Sequence, residues 1–345
     1  MVQTFCRHNR FIQRCPICRE TVPGLAPAQR RSPKPAGDKG ERVAGPARVG
    51  GSPRRGGEGL RSISRRAPEV RVRREVRSQD DGYRNELVPG LRSSADAERL
   101  VEEIGFASGR LLMLTAAPPG VYAEARDCDD VEQATWMCFM CAYISPLQGA
   151  QPFAGIRQAL VHGWASQGLP DLDDVPLGPR SSHDPARGDE TLLAYRRFAE
   201  HAGSQERAFT GEPEWTPQRR FARVFERLAL PGFGRVGRYD LLVTLGRLGL
   251  YELRADSLHL ATRSPRAPSD ASDQTLQAAK RIFGIGDPLH LERRAQALAE
   301  AISAPVEALD LALANWASEE RATLGLPADT RDAHTVERAR TALEL

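Results

Sequence analysis

The chain has 345 residues, room for two average domains or one larger domain with extensions. Lys and Arg number 48 against 45 Asp and Glu, but the near balance conceals a split: residues 1–20 are net +3, residues 21–79 net +10 and residues 80–345 net −10. A basic arm ahead of a mildly acidic body points to a polyanionic partner. No apolar run reaches about 18 residues, which argues against a membrane span. The opening stretch, Met1 to His8, has no apolar signal core, so a cytoplasmic location is expected.

Residues 1–21 read as a zinc-binding knuckle. Cys6, His8, Cys15 and Cys18 form C-x-H-x6-C-x2-C, four soft or borderline ligands suited to one tetrahedral Zn²⁺. So short a segment has no core of its own, and the metal would supply its folding energy. Four protein ligands leave no open position for water, so the zinc is expected to be structural. Cys138 and Cys141 share the C-x2-C spacing, but they lie in an apolar helix candidate, where free cysteine behaves as a small hydrophobe.

Residues 22–82 read as a basic linker. Residues 22–68 hold nine Gly, seven Pro and no aromatic residue, too little apolar surface to offset chain entropy. From 83 to 345 the pattern is helical, with scarce strand-like alternation, and an all-α body is expected. Helices fit 94–105, 129–145, 152–166, 188–202, 216–229, 235–247, 271–283, 288–302, 304–318 and 331–344. The first opens on a cap and an acidic turn, and the second is stopped by Pro146.

Between two of these helices, residues 230–238 read Leu-Pro-Gly-Phe-Gly-Arg-Val-Gly-Arg. Gly232 and Gly234 make a sharp turn, and the next helix begins with free backbone N–H groups that can hold a phosphate oxygen. Gly237 continues the small-residue face, and Arg235 and Arg238 would add positive charge. An ordinary helix–turn–helix corner fits the same residues.

The segment resembles the helix–hairpin–helix of the DNA glycosylase superfamily. In that family an essential aspartate follows the hairpin by about twenty residues; Asp256 lies 22 residues after Gly234. Ser145-Pro-Leu-Gln148 is similar to the family's DNA-probing loop, with Gln148 a candidate for filling the gap left by a flipped base. A closer resemblance is to the α-glutamyl/putrescinyl thymine pyrophosphorylase branch. It is carried by Phe5-Cys-x-His with Cys15-Pro-Ile-Cys, by Trp136 to Leu147 with Pro152-Phe153, by the hairpin, by 280–288 and by 309–316. Phage-defence glycosylases that remove glucosylated hydroxymethylcytosine are similar to this branch.

The resemblance implies a helix–hairpin–helix glycosylase-like body acting on double-stranded DNA that carries a modified, phage-type base. Asp256 would be the catalytic carboxylate, stabilising an oxocarbenium-like sugar and activating water. The base would leave the stack and enter a pocket, for which Gln133, Trp136 and Tyr143 are candidates, although their helical spacing also fits a core stripe. The polar loop 168–190 could widen that pocket.

Two departures matter. Val236 and Gly237 stand where bifunctional relatives carry a lysine, so strand cleavage through a Schiff base is not expected. No cysteine follows Cys141, so no iron–sulfur cluster is expected. Among other polar groups, Asp240 is expected to face solvent or cap, Asp310 to pair with an arginine, and His259 to sit in core or surface. Base-hypermodifying pyrophosphorylase or transferase chemistry, and a noncatalytic DNA-binding adaptor, are the alternative functions.

Overall fold

The computed structural model describes residues 78–261 and 273–345. The zinc-ligand candidates Cys6, His8, Cys15 and Cys18, and nearly all of the basic arm, lie outside them. Regular structure among the described residues is entirely helical. In chain order the helices are α1 (Ser94–Ala116), α2 (Val121–Arg126), α3 (Val131–Ile144), α4 (Ala154–Ala159), α5 (Gly188–Ala202), α6 (Gln205–Thr210), α7 (Pro217–Arg227), α8 (Arg235–Arg247), α9 (Gln274–Ile282), α10 (Pro288–Ala301), α11 (Val306–Ala317) and α12 (Ala333–Leu343). None of them is long and apolar enough to cross a membrane.

Helix α3 is apolar all round, and the fold buries it all round. Asp130 caps it by accepting from the amides of Glu132 at 2.9 Å and Gln133 at 3.3 Å. The helix packs on α2 and α8, while α11 lies between α1 and α9, and α1 also carries α12. Cys138 and Cys141 are both buried in α3, as core residues would be; burial pushes both thiols up.

Most expected helices end within three residues of their observed bounds, the short α2 and α6 were not expected, and two helices differ by more. Helix α1 continues past 105 to Ala116, because Ala107, Leu111 and Leu114 extend the buried stripe begun by Leu100 and Ile104. Its two internal glycines do not break it; they admit neighbours. A Cβ on Gly105 would stand 2.3 Å from Val336 of α12, and one on Gly109 2.9 Å from the backbone of Arg331. Helix α4 stops at Ala159, short of 166, and Trp164 instead packs beside Trp136 from a turn.

The two ends of the body meet. Tyr83 Oη donates to the carbonyl of Leu343 at 2.7 Å and Asn85 Nδ2 to that of Ala342 at 3.1 Å. Asp81 Oδ2 accepts from Ser94 at the start of α1, so the body's own contacts begin by residue 81.

A buried ionic chain ties the helices together. Asp310, in the middle of α11, accepts from Arg235 Nη1 at 2.7 Å and from Arg180 Nη2 at 2.7 Å. Arg180 Nε reaches Asp240 at 3.0 Å, Arg110 of α1 stands 4.0 Å from Asp240, and Arg235 Nη2 reaches Asp273, the cap of α9, at 3.1 Å. The arginine partner expected for Asp310 is therefore present twice. Asp240, expected toward solvent, is instead buried within this chain, because α8 packs against α1 and α3 on that side. Burial pushes the Asp310 carboxyl up, but the two guanidiniums outweigh it and hold it below the usual carboxylate range.

Asp310→Ala would leave Arg180 and Arg235 buried with only part of their compensation. The expected loss is about 3–5 kcal/mol, read by urea unfolding. A loss below about 1 kcal/mol would mean that the network is effectively solvated.

Candidate active site

Helix α7 starts at Pro217 behind the Thr216 cap and ends at Arg227; seven residues, 228–234, separate it from α8, which starts at Arg235. Between them the chain turns through Gly232, whose φ of +73° is a left-handed conformation that suits glycine. The turn is seated on α5: Thr191 Oγ1 donates to the Pro231 carbonyl at 2.8 Å, and a Cβ on Gly232 would come within 2.3 Å of that hydroxyl. Phe233 points inward and is fully buried against Phe139 and Tyr143. Gly234 caps α8 and has open space where a side chain would stand. The first turn of α8 is therefore preceded by a bare backbone with no side-chain cap, an arrangement that suits an anion at the helix start.

The arginines of the hairpin do not add to that surface. Arg235 is buried, donating to Asp310 and Asp273 and, through Nη1, to the Leu258 carbonyl at 3.0 Å. Arg238 is wholly buried, donating to the Phe225 carbonyl at 3.1 Å with its guanidinium 4.4 Å from the Phe225 ring centre. Burial, with Arg235 nearby, lowers Arg238 to about 10. Gly237 is required by packing: a Cβ there would meet Ser182 Oγ at 2.5 Å and the Phe233 ring at 2.6 Å. The expectation that Arg235 and Arg238 face DNA is corrected by their inward pairing.

The same first turn of α8 holds the loop that carries Asp256. Arg235 takes the Leu258 carbonyl, and Tyr239 Oη donates to the Ser257 carbonyl at 3.0 Å. Glu307 of α11 accepts from the Ala255 amide at 2.9 Å and is itself paired with Arg247. Glu292 of α10 accepts from the Leu258 amide at 2.7 Å with one oxygen and from the Leu260 amide with the other. Asp256 is thus an exposed carboxylate on a loop fixed on both sides. It lies in a bend and not at a helix start among the described residues. The fold brings together the hairpin and Asp256, the two features joined by the resemblance.

His259, within this loop, has φ +53°. Its ring stacks on Phe225 with centroids 4.4 Å apart, and its Nε2 is buried without a hydrogen-bond partner. Burial lowers it to about 4, against a smaller opposing pull from Asp256; Arg235 and Arg238 lower it further. It is therefore a neutral core imidazole behind the candidate carboxylate.

The remaining candidates do not converge on one pocket; Gln148 lines a separate cavity of about 560 Å³ with Arg99, Glu103 and Arg321. Trp136 is fully buried, donates Nε1 to the His162 carbonyl at 2.9 Å and stacks on Phe139. Tyr143 is fully buried as well, its hydroxyl sharing a 2.9 Å hydrogen bond with His183 Nδ1. Both belong to the core stripe. Gln133 Oε1 accepts from the Trp164 amide at 2.8 Å, fixing the turn after α4. Gln148 binds the Arg321 carbonyl and accepts from Thr323 Oγ1 at 2.7 Å, so it braces the 321–323 segment.

A cavity of about 570 Å³ opens within the polar loop expected to shape a pocket, lined by residues 169–173 together with His183 and Pro185–Glu190. Glu292, Glu307 and Tyr239 were not foreshadowed in the sequence. Glu292 sits in an amphipathic helix, Glu307 and Tyr239 in largely buried ones, and only the fold directs each at the Asp256 loop.

Residues 183–322 match the family described as alpha-glutamyl/putrescinyl thymine pyrophosphorylase, clade 3. The match covers the hairpin, the Asp256 loop and the acidic residues that hold it. No curated protein and no solved structure matches the chain.

The buried imidazole makes stability sensitive to acid. His259 is held at about 4 in the fold against an ordinary 6.5, so the folded state binds fewer protons. Its contribution is complete above pH 6.5 and is lost as pH falls through about 4, roughly 3 kcal/mol in all. His259→Asn keeps a residue tolerant of positive φ and removes the titration. Unfolding free energies of wild type and variant, measured from pH 7.5 to 4, are expected to converge toward acid; parallel curves would refute the assignment.

Proposed function

We propose that this protein is a monofunctional DNA glycosylase. It hydrolyses the N-glycosidic bond of a flipped-out modified base, of phage type such as glucosylated hydroxymethylcytosine, and leaves an abasic site. The observation that carries the reading is the exposed Asp256 carboxylate on a loop tied, through the Leu258 carbonyl, to Arg235, the first residue of α8 after the open Gly234 cap. The resemblance of the hairpin to helix–hairpin–helix glycosylases supports it, and the family match over 183–322 spans both the hairpin and Asp256.

Breaking the bond sends its electron pair to the departing base and leaves positive charge on the sugar. Asp256 stabilises that charge, orients a water toward C1′ and accepts its proton. The α8 amides hold a phosphate of the same strand, so the sugar is presented to a carboxylate that does not need to move. Val236 stands at the first-turn position where bifunctional relatives have lysine, which favours water over an amine nucleophile. The basic residues between 30 and 77 add salt-sensitive affinity for the duplex. Cys6, His8, Cys15 and Cys18 bind one structural zinc.

The second reading is a base-hypermodifying pyrophosphorylase or transferase, and the printed name of the matched family favours it. An adaptor without catalysis is the third. Genomic DNA from phages with ordinary, hydroxymethylated and glucosylated cytosine separates them. The glycosylase reading expects strand breaks only after alkali, on a modified genome, at least ~100-fold reduced in Asp256→Asn with duplex binding retained. Altered bases without abasic sites would favour the transferase, and binding indifferent to Asp256 without any product would favour the adaptor.

For the metal, purified full-length chain is expected to contain about one zinc, lost in a Cys15→Ser, Cys18→Ser double variant. Metal-free wild-type protein with unchanged DNA binding would refute the knuckle.

A further inference from the structure

The most ordered part of the candidate site is the segment just after Asp256. The amides of Leu258 and Leu260 converge on the two oxygens of one carboxylate, Glu292. The residue between them, His259, is left-handed, and amides flanking such a residue form a concavity shaped for an anion. In this molecule a side chain fills it. Glu292 comes from the second turn of α10, whose start is fixed separately by Asp287 accepting from the His290 amide at 2.9 Å. The carboxylate is half-buried and reaches across from α10 to a loop more than thirty residues earlier.

What this bond holds is set by the other contacts of the loop. Glu307 fixes Ala255, Tyr239 fixes Ser257 and Arg235 fixes Leu258 through its carbonyl. Those three leave the Leu258 and Leu260 amides to Glu292, while the His259 ring packs on Phe225, Phe221 and Tyr239 and the Leu258 and Leu260 side chains lie in the core. A left-handed histidine is an uncommon conformation. If the two amides lose their acceptor, the backbone around His259 is free to relax toward commoner angles, and the carboxylate three residues before it shifts with it.

We infer that Glu292 is a positioning residue for Asp256: its carboxylate, by holding the Leu258 and Leu260 amides, keeps the loop in the one conformation that aims Asp256 at the sugar. The inference rests on the reading of Asp256 as the catalytic carboxylate. Glu292 itself touches neither substrate nor water in the reaction. Its removal changes the rate of the chemical step and leaves the hairpin's grip on DNA intact.

The test compares wild type, Asp256→Asn, Glu292→Ala and Glu292→Gln as full-length chains on the three phage genomic DNAs. Three readouts are taken: single-turnover abasic-site formation, duplex affinity, and amide exchange of residues 255–260 by mass spectrometry. Glu292→Ala is expected to slow the single turnover ~10–100-fold with affinity within about twofold, and to speed exchange at 258 and 260. Sodium formate, whose anion fits the vacated pair of amides, is expected to restore part of the rate, while sodium chloride of equal ionic strength does not. Glu292→Gln keeps the volume and one acceptor and is expected to fall between; it carries the test should Glu292→Ala not fold.

An inactive Asp256→Asn beside fully active Glu292 variants would overturn the positioning role and leave the glycosylase reading standing. So would a rate loss matched by an equal loss of affinity and unmoved by formate. Asp256→Asn with wild-type activity, or no abasic sites from wild type on any genome, would overturn both.

Discussion

Everything in the candidate site depends on where Arg235 is held. Its guanidinium is enclosed between Asp310 of α11 and Asp273 at the head of α9, and one remaining N–H is spent on the carbonyl of Leu258. A buried cation with two carboxylate partners has little freedom to rotate away, since each lost contact would leave charge uncompensated in a low-dielectric interior. The first residue of α8 therefore acts as a fixed post. The hairpin is anchored on one side of it and the Asp256 loop on the other. Asp310 reaches Arg180 as well, and through it Asp240, so the post is continuous with the helices that frame the core.

This arrangement divides the work of the hairpin in a way that its residue types do not suggest. Arginine after a glycine turn invites a reading as phosphate contacts. In the fold the arginines are structural, and the surface left beside Gly234 is backbone. On the proposed reading, attraction to DNA has two separate sources: directional amides at the start of α8, and diffuse charge in the arm before residue 78. A body of net negative charge is compatible with such a division, because amide dipoles act over a short range and the arm can act over a long one.

The helical class, most helix positions, the hairpin and the pairing of Asp310 with arginine were legible in the sequence. Each is written in local pattern: period 3.6 in α5, α7 and α10, a Pro-Gly-x-Gly turn, or an acid in the middle of an apolar helix where only a cation could satisfy it. The extent of α1 was not, because Gly105 and Gly109 look like breakers until α12 is seen lying against them. Nor was the inward turn of Arg238, which depends on Phe225 across the hairpin. Glu292 and Glu307 were hidden for a general reason. An acid on an amphipathic helix is ordinarily a solvated one, and whether it meets two amides is decided by a loop packed from elsewhere in the chain. Trp136 and Tyr143 show the converse: aromatic residues at helical spacing look equally like a pocket wall and a core, and burial on all sides decides for the core.

The meeting of the body's two ends has a consequence for how the protein is made. Tyr83 and Asn85 bond to carbonyls at the end of α12, some 260 residues later in the chain, and the glycine face of α1 is built to receive that same helix. An emerging polypeptide can form α3, α5 and the hairpin helices as they appear, but α1 keeps an uncovered groove until α12 has been synthesised. During that interval the nascent chain exposes a narrow apolar channel lined by backbone, a surface suited to premature association with another copy or to capture by a chaperone. Truncation near the C-terminal end would make that interval permanent, far from the hairpin and from Asp256.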